Sequence, residues 1–371
     1  MLNNFVYKNI LCLFFLLFHN LSTLAQPPSI KDSTQLVSEK YTHFQPLPIL
    51  SYLPETSFAF GALSVFLFKA GNDSSVRTSN IDFAFVYTTR SQLIIDPMFS
   101  VFTKKEKYYL KGALLYTEFP EFFYGVGNRT SAAFKEHISY KAFKGNLRVL
   151  RKINKNFFGG IQYQYYNIFD MKYPSGSLFK NHKIEGQLGS ITSGFGPSLL
   201  YDSRNSILNP TKGHYFEISN FIFNQAFGSQ YNFVNFIIDV RKYIKINKKG
   251  IIALQSYVNL NFGHIPFKQL ATVGGNSIMR GYYNGRFRDK NAIVLQAELR
   301  QHLFWRFGYT LFADIGNVSS NFTTKELSNI IYTVGCGARY KLLKDENLNV
   351  RVDFGIGKNT SGLYITLSEA F

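Results

Sequence analysis

A hydrolase built on this chain would need a serine or cysteine nucleophile with a histidine and an acid, and the seven histidines are scattered. No Gly-x-Ser-x-Gly turn occurs; Gly189-Ser190 and Ser193-Gly194 do not match it. No His-x-x-x-His spacing or cysteine pair marks a metal site, and no glycine-rich loop marks a phosphate site. The expectation is therefore no enzyme, no catalytic residue, no metal and no cofactor. The residues that stand out are arginines and carboxylates: Arg280 with Glu298 and Asp314, and Asp202 with Arg204. Their chemistry is ion pairing, which positions a chain.

What those residues must be mounted on follows from composition. The 371 residues include 38 Phe and 24 Tyr, too many aromatics for a disordered chain. Charged residues make up 17%, below the soluble average of about 25%. Two cysteines exclude a disulfide scaffold. The longest apolar run, Ile10 to Phe18, is far short of the roughly 20 residues of a spanning helix. That run reads as a signal peptide over 1–25, with Lys8 before it and Ser22-Thr23-Leu24-Ala25 as the cleavage site. Cys12 leaves with the peptide, so Cys336 remains alone. An exported, aromatic-rich chain without a spanning helix fits a transmembrane β-barrel.

Period-two alternation is widespread. In 290–303, Ile293, Leu295, Ala297, Leu299 and Leu303 oppose Gln296, Glu298, Arg300 and His302. In 347–356, Leu348, Val350, Val352, Phe354 and Ile356 oppose Asn349, Arg351 and Asp353. Segments 107–117, 231–246 and 306–316 behave alike. Successive strand side chains point to opposite faces, so each segment has one apolar and one polar face. Alternation alone also fits a soluble sandwich. The signal peptide, the Phe and Tyr at the ends of apolar faces, and a last strand Leu363-x-Ile365-x-Leu367 closing on Phe371 favour the membrane. The fold class is thus all-β, a transmembrane antiparallel barrel over 44–371. At about 20 residues per strand and turn it has about 16 strands. Residues 26–43 form a short periplasmic leader.

The most specific stretch is 274–317. It runs Gly274-Gly275-Asn276-Ser277-Ile278-Met279-Arg280-Gly281-Tyr282, then a strand with Glu298 and Arg300, then Phe312-Ala313-Asp314-Ile315-Gly316. This resembles the barrel domain of the bacterial surface antigen superfamily, which includes the assembly factors BamA and TamA and the two-partner secretion transporters. The resemblance implies a long loop folded into the barrel, with Arg280-Gly281-Tyr282 at its tip and its arginine contacting the acid of the Phe312-x-Asp314 motif. Alternation independently places Asp314 and Glu298 on the polar face, within reach of an inward arginine. Tyr201-Asp202-Ser203-Arg204 followed by Pro210-Thr211-Lys212-Gly213 resembles the family's structural hairpin, and Tyr124-Gly125-Val126-Gly127-Asn128 also resembles these barrels. By the same resemblance, Ile365, Leu367 and Phe371 form the C-terminal sorting signal of a protein of the bacterial outer membrane.

Function is expected to be insertion or translocation of protein or lipid, with a passive anion-preferring pore or structural barrel as the alternative. Fewer than twenty residues separate the cleavage site from the barrel, so client-capturing POTRA domains are not expected in this chain. Pro46 and Pro48 share one strand edge and lack N–H donors, so that edge pairs weakly if it meets the last strand; otherwise the two prolines belong to the leader. The 41 basic against 23 acidic residues give +18, or +17 once Lys8 is removed. Lys111, Lys144, Arg148, Arg241, Arg300 and Arg351 are candidate lumen bases for an anion pore. Lys104, Lys105, Lys248 and Lys249 are candidates for lipopolysaccharide phosphates. Expected partners are outer-membrane lipid and lipopolysaccharide, with unfolded outer-membrane proteins or periplasmic partner subunits, and no nucleic acid.

Overall fold

The computed structural model describes residues 42–371, apart from 71–75, 175, 178, 180–183, 322, 324–325, 327 and 344–347. The expected signal peptide and the leader up to residue 41 lie outside the described residues. Thr42 and His43, expected in the leader, already belong to the first strand.

Sixteen strands form the barrel wall. They are β1 (Thr42–Leu53), β2 (Ser57–Phe68), β3 (Ser79–Thr88), β4 (Leu93–Phe102) and β5 (Tyr108–Glu118), then β7 (Glu136–Lys152), β8 (Phe157–Lys172), β9 (Ser190–Asp202), β10 (Gly213–Phe223), β11 (Phe233–Lys245) and β12 (Gly250–Gly263). The last five are β15 (Asn291–Phe304), β16 (Phe307–Ser319), β17 (Ile331–Leu343), β18 (Leu348–Gly357) and β19 (Thr360–Leu367). Each pairs antiparallel with its neighbour, and β1 meets β19 to close the ring. Three short strands lie off the wall. β6 (Glu121–Phe123) adds to β7, and β13 (Ala271–Val273) pairs with β14 (Phe287–Asp289) inside the loop between β12 and β15.

The alternation of the sequence becomes the two faces of this wall. On β18, Val352, Phe354 and Ile356 are exposed on the outside, and Arg351, Asp353, Gly355 and Gly357 are buried inside. Ile81, Phe83, Phe85 and Tyr87 do the same for β3. An apolar outside and a polar inside are what a lipid-embedded barrel requires. Loops 119–135, 173–189, 224–232, 264–290 and 320–330 stand at one end. The connections 103–107, 153–156, 246–249 and 305–306 and the turn 203–212 stand at the other, together with the start of β1 and the end of β19. In barrels of this kind the short turns face the periplasm.

Closure is uneven. β1 pairs with β2 along its whole length, from Thr42↔Phe68 to Leu53↔Ser57, but meets β19 only at Tyr52↔Ile365. The backbone of Phe58 bonds toward Thr89, on the β3 side. Backbone groups alternate along a strand, so Ala59 and Gly61 turn to β1, Ser51 and Ile49 turn to β2, and Pro46, Pro48, Leu50 and Tyr52 turn to β19. Both prolines are thus in β1, on the seam edge.

The C-terminus departs from expectation. Ile365 and Leu367 lie on β19, but the strand stops at Leu367 and Ser368 takes a positive φ of 65°. Its N–H bonds Asn349 O at 2.8 Å. Phe371 packs inside against Tyr243 and Ala253, and its carbonyl accepts from Arg300 Nη2 at 3.0 Å. The terminal aromatic therefore does not end the outer apolar face.

Candidate functional site

The loop 264–290 enters the lumen as a hairpin. β13 and β14 form its stem, and Gly274, Gly275 and Gly281 take φ values of 114°, 112° and 115°, which L side chains rarely adopt. An apolar cluster holds the stem and tip: Ala271, Val273, Met279, Tyr282 and Phe287 pack on Ala292, Val294, Val318 and Ile331. Gly127 N–H donates to Arg288 O at 2.7 Å, joining the Tyr124–Asn128 stretch to the stem. A second tie is Lys268, whose ammonium lies 2.9 Å from Glu121 Oε1 and 2.8 Å from the Tyr140 hydroxyl.

Arg280 at the tip has no solvent exposure. Its Nη1 donates to Asp353 Oδ2 at 2.6 Å, and its Nη2 donates to Glu298. Its guanidinium lies 3.7 Å from the centre of the Phe312 ring. The expected contact with Asp314 is replaced by these two. The planar fork has two ends and one face: β15 and β18 supply acids for the ends, and Phe312 takes the face. Asp314, the next lumen position along β16, accepts from Thr333 Oγ1 at 2.9 Å.

Each acid is shared. Glu298 also accepts from Arg300 Nε at 2.7 Å, and Asp353 from Arg351 Nη1 at 3.1 Å and from Arg339 Nη1. Arg339 Nε donates to Glu369 at 2.8 Å. Four arginines, Arg280, Arg300, Arg339 and Arg351, thus pair with three carboxylates, Glu298, Asp353 and Glu369, with Asp314 beside them. Burying charge is tolerable only with such pairing.

Backbone contacts finish the seat. A Cβ on Gly355 would lie 2.6 Å from the Arg280 carbonyl, and one on Gly357 would lie 2.5 Å from the Tyr282 ring. Gly281 N–H donates to the Tyr364 hydroxyl at 2.8 Å, which donates to Tyr282 O at 3.0 Å. The Tyr282 hydroxyl accepts from Lys358 N–H at 2.8 Å. The tip therefore rests on β18 and on β19, the strand that borders the seam.

The structure brings Arg280, Gly281, Tyr282, Glu298 and Phe312 together, with Asp314 beside them. It keeps Asp202, Arg204, Pro210 and Gly213 apart, at the short-turn end. There Arg204 grips Asp202 with Nε–Oδ1 3.0 Å and Nη2–Oδ2 2.9 Å, and its guanidinium stacks on Tyr215. Gly213 has φ 105°, and a Cβ there would meet Ser203 O at 2.3 Å. Missing from the expected set are Asp353, Gly355, Gly357 and Tyr364. Alternation already placed Asp353 on the polar face, and Gly355-x-Gly357 follows it on the same face.

A closed sixteen-stranded barrel with an apolar exterior and a loop fixed in its lumen defines a transmembrane protein of the bacterial outer membrane. The chain belongs to the Omp85 superfamily, whose domain model matches residues 67–360. Among solved structures it is similar to BamA from Haemophilus ducreyi lacking POTRA domains 1–3, at 13% identity and TM-score 0.57, over 89% of this chain and 70% of that one. It is also similar to CdiB from Acinetobacter baumannii (12%, TM-score 0.55, 88% and 60%) and CdiB from Escherichia coli (9%, TM-score 0.58, 86% and 62%). The chain thus spans about 60% of the length of the two CdiB chains. No curated protein matches the sequence.

Proposed function

We propose that this Omp85 barrel takes part in inserting or translocating protein or lipid at the outer membrane, through a labile seam and without covalent chemistry. The observation that carries the reading is the β1–β19 junction. It has one registered pair where β1–β2 has twelve, and two prolines stand on its edge. The loop tip clasps Tyr364 on the same β19. Arg280, Gly281 and Tyr282, with Glu298, Phe312 and Asp314, would fix the loop so that β19 keeps its shape while β1 moves. Asp202, Arg204, Pro210 and Gly213 would brace the short-turn end, and Ile365, Leu367 and Phe371 would serve in sorting. Clients would be unfolded outer-membrane proteins or lipid, delivered by periplasmic partner subunits.

The lumen bases that an anion pore would use are mostly neutralised. Arg148 pairs with Glu217, Arg241 with Asp239, Arg300 with Glu298 and Arg351 with Asp353; Lys111 is exposed. The test is folding of a small unfolded outer-membrane barrel into liposomes carrying the purified protein, against empty liposomes and an Arg280→Ala variant. Acceleration that the variant loses is expected. No acceleration, with anion-selective conductance in the same liposomes, would overturn the proposal in favour of a pore.

A further inference from the structure

Among the described turns of the short-turn end, positive charge is exposed with almost no counter-charge. Lys104, Lys105, Lys155, Lys212, Lys248 and Lys249 are all exposed there. The one acidic residue in the turns 103–107, 153–156, 203–212, 246–249 and 305–306 is Glu106, which is buried and paired with Arg77 and Lys152. At the long-loop end the signs are mixed: Glu118 meets Lys141, Glu121 meets Lys268 and Glu185 meets His264.

The lysines follow the rim. They occupy the turns β4–β5, β7–β8, β9–β10 and β11–β12, with Arg306 continuing the series at β15–β16. The same turns expose large apolar side chains: Ile153, Ile207, Ile246 and Trp305, with Phe304 beside it. Apolar side chains next to ammonium heads suit the boundary between acyl chains and headgroups. A protein partner would meet one sector of a ring; a lipid leaflet surrounds it. Because short turns face the periplasm, Lys104, Lys105, Lys248 and Lys249, the residues expected at lipopolysaccharide phosphates, point away from the leaflet that holds lipopolysaccharide. We infer that the collar selects anionic glycerophospholipids in the inner leaflet of the outer membrane.

The single tryptophan reports on this site. Trp305 is 66% exposed, Arg306 follows it in the chain, and Lys249 Nζ bonds Leu303 O at 3.2 Å nearby. The full chain is folded into phosphatidylcholine vesicles that contain a fraction of brominated phosphatidylglycerol or, separately, brominated phosphatidylcholine. Quenching of Trp305 gives the relative association of the two lipids. The anionic lipid should associate about fivefold more strongly at low salt. That preference should collapse at 1 M salt, where the screening length is about 3 Å. Lys248→Gln/Lys249→Gln, two exposed substitutions, should move the ratio toward one. Equal quenching at low salt, or a preference that survives both high salt and the double variant, would overturn the inference.

Discussion

On the lumen face of β15 to β18, arginines, carboxylates and glycines take successive positions, and the loop tip is bonded into them. On the lumen face of β1 and β2 stand Leu47, Ile49, Leu63 and Val65, and neither strand contains a charged residue. Their outer face is apolar as well: Phe44, Leu50, Phe58, Phe60 and Phe66 are all exposed. Charge pairs and hydrogen bonds are directional, so the first wall has one register. Apolar contact is non-directional, so the uncharged lumen face of this hairpin does not by itself fix its register against β19. One barrel thus has a wall pinned by charge and a wall without it, meeting at β19; on the proposed function the first holds and the second yields.

The largest effect is expected from breaking the holding wall. Arg280→Ala leaves Glu298 and Asp353 each short of a partner, at a cost of roughly 3–5 kcal/mol. Limited proteolysis of the folded barrel should then cut within 264–290 while the wall strands stay resistant. Unchanged cleavage would mean that the apolar cluster around Met279 and Tyr282 holds the loop without the arginine. Gly355→Val asks whether shape matters as much as charge. It changes no charge but drives a side chain into the Arg280 carbonyl, at a cost of about 1–3 kcal/mol. The same loop should loosen, though less; a variant as resistant as the parent would show that the tip can shift aside.

The yielding wall is tested by locking it. In a Cys336→Ser background, cysteines at Tyr52 and Ile365 should crosslink and abolish most of the liposome activity, with recovery on reduction. Cysteines at Leu63 and Ala84, paired across β2 and β3, should crosslink without loss. Equal activity of both locked forms would erase the distinction between the walls.

Much of this contrast is written in the sequence, but unevenly. Period-two alternation exposes the wall because every strand obeys it. The inward loop is legible because Arg280, its neighbouring glycines and the following strand lie close together in the chain. The Arg280–Asp353 pair is not legible: it joins positions 73 residues apart across three strand boundaries, and no local pattern selects Asp353 over Asp314. Gly355-x-Gly357 could have signalled the seat, since two glycines on one lumen face leave room for a backbone. The inward turn of Phe371 depends on the positive φ at Ser368, a serine with nothing in its type to predict it.

The smallest effect concerns how the yielding wall is tethered. Glu55, in the turn between β1 and β2, is buried, and its Oε2 has no partner in the protein. Burial pushes its carboxyl up to about 7, opposed by its own backbone N–H, the charge of Arg90 and the backbone of Asn284 in the inward loop, with Glu121 adding to the rise. A carboxyl raised in the folded state stabilises most when protonated in both states. Its contribution is full below about 4.5 and is lost as pH climbs to about 7. Hydrogen exchange in the 54–56 turn should therefore quicken between pH 5 and pH 8, after correction for intrinsic exchange, by an amount worth at most about 3 kcal/mol. Glu55→Gln should flatten that dependence and protect the turn at pH 8. An undiminished pH response in the variant would assign it to another group. The comparison of the walls sharpens if the response is confined to this turn: the loop's hold on the yielding wall beside Glu55 then loosens in mild alkali.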